Sequence, residues 1–75
     1  MSEKESIATM IKVEQLGLFR HSSGVSYREA SEYFDRYHIW EFIDDAYYGL
    51  HIQGAGATIE DISDYVQGID AKAAG

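Results

Sequence analysis

A chain of 75 residues makes one domain, and it buries only about 60% of the surface its unfolded form exposes. At 45% hydrophobic and 13% aromatic it is no disordered tail, and with no cysteine it has no disulfide, thiolate metal site or cysteine nucleophile. Its net charge of −7 repels phosphate backbones and anionic membranes and attracts basic protein surfaces.

The charge is unevenly spread. Residues 1–36 hold five basic and six acidic groups, whereas residues 37–75 hold Lys72 against seven acids. No proline interrupts the chain, which favours long helices. The opening MSEKESIATM has no signal-peptide apolar core, and no apolar run reaches the roughly 20 residues of a membrane span. Together with the missing cysteines, this fits a reducing cytoplasm.

The pattern predicts an all-α fold, a compact bundle of three to four helices at about 3–20, 27–37, 39–52 and 58–69, within a single domain 1–75 whose tail frays over 70–75. The first helix starts at Ser2, which has capping-box spacing to Glu5. Ile7, Met10, Ile11 and Leu18 lie near one face, widened by Val13, Leu16 and Phe19. Gly17 is one possible end, with Leu18 folding back on Val13. The break at His21–Gly24 is the preferred one.

The second helix follows the box of Ser26 and Glu29. Tyr27, Ala30, Phe34 and Tyr37 give it an aromatic face, and Glu32 and Arg36 have the spacing of an ion pair. The link at Tyr37–His38 is short enough for a tight helical hairpin. In the third helix Ile39, Ile43, Ala46, Tyr47 and Leu50 fall in one stripe, and Glu41, Asp44, Asp45 and Tyr48 take the far side. The fourth starts at Thr58, whose hydroxyl caps the amide of Glu60 or Asp61. Ile59, Ile62, Tyr65, Val66 and Ile69 make its buried face, and Gly68 begins its end.

Between the last two helices lies HIQGAGATIED, His51 to Asp61. A dinucleotide fingerprint needs a preceding strand and a third glycine, and a P-loop needs Gly-Lys-Ser/Thr. Here Ile59 stands at the third glycine's place, and no lysine occurs between Lys12 and Lys72. Gly54 reads instead as the left-handed cap of the third helix, with Gly56 giving slack before Thr58.

No catalytic, cofactor-binding or metal-binding residue is assigned. His21, His38 and His51 form no zinc pattern and share no i,i+4 face. His51 reads as a structural histidine that bonds a carboxylate or closes its helix. Asp44 and Asp45 are adjacent and diverge by about 100°, so they make no carboxylate dyad. Tyr48, ringed by acids, fits both an interface anchor and a residue packed under the first helix.

The run from Ser26 to Val66 also resembles small bacterial proteins grouped as domain of unknown function thirty-seven ninety-one. The resemblance rests on a D-x-x-Y-x-x-L-H-x-Q block, matched by Asp44, Tyr47, Leu50, His51 and Gln53, and on Asp61, Ile62 and Tyr65 in the last helix. It implies no enzymatic activity. It implies a component of a toxin–antitoxin module whose partner resembles an ADP-ribosyltransferase, with this acidic chain as the neutralising member.

The expectation is therefore a protein-interaction module, not an enzyme, whose partner offers a basic surface, with no nucleic acid and no membrane. The contact candidates are Asp44, Asp45, Tyr48, Glu60, Asp61 and Asp64, while Tyr47, Leu50, His51 and Gln53 are structural. A self-associating module, such as a homodimer, is the alternative, and a small enzyme using His51 with acids comes third.

Overall fold

The computed structural model describes residues 2–74. Four helices follow in order: α1 (Glu3–Ser23), α2 (Tyr27–Arg36), α3 (Ile39–Gln53) and α4 (Ala55–Ala74). No strand occurs among the described residues, so the fold is all-α.

α1 runs past Gly17 to the second of its two predicted ends. Gly24 terminates it at φ 69°, ψ 23°, donating its N–H to the carbonyl of Arg20. At the other end only half of a capping box forms, with Glu5 N–H donating to Ser2 Oγ at 3.2 Å. α2 has the full box, in which Glu29 N–H donates to Ser26 Oγ and Ser26 N–H to Glu29 Oε1. Its ion pair differs from expectation, since Glu32 meets Arg28 one turn back at 3.4 Å rather than Arg36.

The joints shorten along the chain, with three residues between α1 and α2, two between α2 and α3, and one between α3 and α4. Each contains a single residue with positive φ: Gly24, His38 and Gly54. His38 sits in the left-handed region at φ 55°, which is unfavourable for a residue with a Cβ. Tyr65 Oη donates to its carbonyl and ties α4 to this corner. Gly54 has the expected positive φ of 89°, but its ψ of 172° is extended rather than left-handed helical. That backbone region belongs almost entirely to glycine.

α4 therefore begins at Ala55, three residues before the predicted start, and Gly56 belongs to its first turn. Thr58 is not the cap. It is buried inside the helix, and its hydroxyl donates to the carbonyl of Gly54 at 2.8 Å, with Leu50 O at 3.3 Å. The helix continues through Gly68 to Ala74, and Gly75 at the end of the predicted frayed tail lies outside the described residues.

The core is built from Ile11, Phe34, Ile39, Ile43, Leu50, Ile62 and Val66. The stripe read for α3 lies inward, but that of α1 is displaced. Its fully buried residues are Ala8, Ile11 and Gln15, while Met10 and Val13 face out. Gln15 keeps its amide satisfied by donating to the carbonyl of Ala55 at 3.2 Å, as a buried polar group must. In α2 the inward aromatics are Phe34 and the half-buried Tyr33, whose ring stacks on Phe19 at 4.6 Å. Tyr27 is instead exposed beneath the guanidinium of Arg20, 4.5 Å from its centroid. Trp40 packs on Phe34 and donates its indole N–H to Asp35 Oδ1 at 2.7 Å. Ile59 also departs from the predicted face of α4 and is exposed.

Candidate interaction surface

Residues at i, i+3, i+4 and i+7 share one face of a helix. On α3 those steps join Glu41, Asp45, Tyr48 and Ile52, and all four are exposed. They lie outward because Ile39, Ile43 and Leu50 occupy the opposite side in the core. Tyr48 is 65% exposed and Ile52 68%, so two large apolar groups stand one turn apart, following the carboxylates of Glu41 and Asp45 along the stripe. Tyr48 rests edge-on against the Tyr47 ring at 6.4 Å. Between the two readings of Tyr48, its exposure rules out packing under α1.

The six contact candidates divide by what already holds them. Asp44 forms an ion pair with Lys12 at 2.7 Å and so belongs to the contact between α1 and α3. Asp61 accepts from Gln53 Nε2 at 2.7 Å and stitches the end of α3 to the start of α4. Asp45, Tyr48, Glu60 and Asp64 remain exposed, without a hydrogen bond or ion pair among the described residues. Glu60 and Asp64 share one face of α4, as their spacing of four requires.

The structural candidates divide as well. Leu50 is buried in the core, and Tyr47 is half-buried with the Lys4 ammonium 5.7 Å from its ring centroid. Gln53 reaches Thr58 Oγ1 at 3.5 Å as well as Asp61. His51 departs from expectation. It is exposed, with no hydrogen bond or ion pair to its side chain among the described residues, so it does not hold α3 in place. No group of three or more histidine and acidic side chains among the described residues is placed for a metal ion. No helix among the described residues is long and apolar enough to cross a membrane.

Ile52 was missed by the sequence reading. The signal was present, because it lies four residues after Tyr48 and off the stripe of Ile43 and Leu50.

Two tyrosines titrate above their ordinary range. Burial raises Tyr33, aided by the charges of Tyr37 and Asp70. The nearby Asp70 carboxylate raises Tyr37 by favouring its protonated form, and desolvation adds to this. Asp70 on α4 thus faces the end of α2.

A family model described as Protein of unknown function (DUF3791) matches residues 13–68. That span begins within α1 and ends within α4. No curated protein and no solved structure matches the chain.

Proposed function

The chain belongs to the DUF3791 family, and on that premise we propose that it is a protein-interaction module that binds a basic protein partner through the outward faces of α3 and α4. The observation that carries this reading is the exposed pair Tyr48 and Ile52, which continues the stripe begun by Glu41 and Asp45. Aromatic and aliphatic anchors contribute most to binding when a polar rim keeps water away from them. The unpaired Asp45 carboxylate on the same stripe, backed by Glu60 and Asp64, favours Lys- and Arg-rich surfaces and speeds the encounter, while Glu41 stands 3.9 Å from His38.

The finer reading is an antitoxin-like or regulatory role in a bacterial cytoplasm. The partner would be a basic, ADP-ribosyltransferase-like protein, and this chain would have no chemistry of its own. The resemblance motivates that identity, and the net charge of −7 agrees with it.

The test is a tagged pull-down from the native organism with wild type and with Asp45→Lys/Tyr48→Ala. Asp44 and Asp61 are left intact because each already bonds within the fold. A basic partner retained by wild type and lost by the folded variant is expected. Capture that is indifferent to the variant would remove the surface from consideration.

A second reading is self-association through α1. It is favoured by Val13, 68% exposed, with Met10 and Gly17 beside it on one face. Sedimentation across a concentration series tests it, and a constant monomer mass would remove it.

A further inference from the structure

The bundle is incomplete along one side. α2 has 10 residues and α4 has 20, so α2 is about 15 Å long against about 30 Å for α4. α2 and α4 both pack on α1 and stay apart from each other. What remains is a groove of about 210 Å³. Phe19, Phe34, Ile62 and Val66 line it, and Leu18 and Ile59, 36% and 43% exposed, stand at its lips. The bond from Gln15 to Ala55 ties α1 to the start of α4, and Asp70 faces Tyr33 and Tyr37 towards the other end of α4. The accessible surface of 5042 Å² exceeds the roughly 4,650 Å² typical of a folded monomer of this mass.

Drug-sized ligands occupy pockets of about 300–1,000 Å³, so this groove suits one large side chain better than a small molecule. Its setting selects the donor of that side chain. No lysine or arginine lines it. Glu14 lies one turn before Leu18, Glu60 follows Ile59, and Asp70 lies one turn beyond Val66. None of these acids makes an ion pair among the described residues. A second copy at −7 would bring like charge to an acid-flanked cleft, whereas a basic segment would bring the opposite sign.

We propose that the groove between α1, α2 and α4 receives a large apolar side chain from a basic amphipathic helix of a protein partner, which lies in the gap between α2 and α4. This rests on the binding reading above but not on the α3–α4 surface. Helix-in-groove recognition works through anchors at i, i+3, i+4 and i+7. The lips and floor come from helices, so the groove is present before the partner arrives.

The experiment pans a random peptide display library on the full chain, with Ile59→Lys and Ser63→Trp as groove variants and Tyr48→Ala/Asp45→Lys as the surface variant. Ile59 and Ser63 are both exposed, and Ser63 lines the groove. Ile59→Lys repels a basic helix at the lip, and Ser63→Trp fills the cleft from its edge. Circular dichroism confirms that each variant folds. The expected clones carry helically spaced Leu, Ile, Phe or Trp with flanking Lys and Arg. They lose at least tenfold in affinity on both groove variants and keep it on the surface variant. Clones that bind the groove variants unchanged, or a library that yields none, would overturn the proposal. Clones lost only on the surface variant would overturn it while leaving the α3–α4 reading intact. A dimer of this chain abolished by Ile59→Lys would overturn it in favour of a second copy. Groove-dependent clones together with an indifferent native pull-down would uphold the groove and remove the α3–α4 surface.

Discussion

Replacing Gly54 with alanine adds a methyl group that meets no atom within 4 Å, so sterics with neighbours predict no effect. The backbone predicts a loss. At φ 89° and ψ 172° the residue occupies a region that costs a side-chain-bearing residue on the order of 1–3 kcal/mol. Alanine's smaller unfolded-state entropy offsets about 0.4–1 kcal/mol of that. The net loss is about 1–2 kcal/mol, or roughly 5–15 °C in Tm at about 4–8 °C per kcal/mol for a domain of this size. Gly56, two residues on, is the control. It lies in the first turn of α4, and a Cβ there also meets nothing. Alanine at Gly56 therefore stabilises by about 0.5–1 kcal/mol through helix propensity. The two substitutions are chemically identical and should move the melting curve in opposite directions. Thermal melts followed by circular dichroism, with urea titration for the free energy, decide the matter. Equal shifts, or a neutral Gly54→Ala, would refute the claim that this single residue sets the joint.

Thr58→Val keeps shape and burial but removes a hydroxyl that donates to Gly54 O at 2.8 Å. It should cost about 0.5–1.5 kcal/mol in urea unfolding, and an unchanged midpoint would show that the bond contributes nothing. A double-mutant cycle of Lys12→Met and Asp44→Asn should give a coupling of about 0.2–1 kcal/mol that shrinks in salt, since the pair is partly exposed. Zero coupling would mean that the ion pair does not fix α1 on α3. Tyr33 and Tyr37 are raised in the folded state, so the stability they contribute is full below about pH 10 and is lost as pH rises through their folded values. Alkaline titration by phenolate absorbance should show late-titrating tyrosines that move earlier in Asp70→Asn. Superimposable curves would contradict that placement of Asp70.

The parts of the fold legible in the sequence were those where hydropathy and burial coincide. Ile39, Ile43 and Leu50 fell in one stripe and are buried, and the Ser26–Glu29 box announced its helix because capping depends on adjacent residues alone. α1 was misread because its buried positions include Ala8 and Gln15. Only the distant Ala55 carbonyl makes a glutamine acceptable there, and a local pattern carries no trace of it. Thr58 failed for the related reason that a threonine suits a cap and an interior back-bond equally well. In the interaction surface, Tyr48 stood out by its position opposite the stripe. The loss of Asp44 to Lys12 and of Asp61 to Gln53 needed the helices to be placed first. Ile52 was assigned to neither the apolar stripe nor the far side of its helix, so the sequence reading ended the exposed face at Tyr48.

The three joints, of three, two and one residues, bear on how quickly the chain finds its structure. Closing a short loop costs little entropy and takes about 10–100 ns for ten residues. Consecutive helices that meet across such joints form contacts close in sequence, the topology associated with folding in microseconds to milliseconds. α1 is the exception, because it also meets α3, most extensively of all the helices, and α4 from the far end of the chain. Docking of α3 and α4 onto α1 carries the largest loop-closure cost in assembly, and destabilising those contacts should retard folding more than loosening any hairpin.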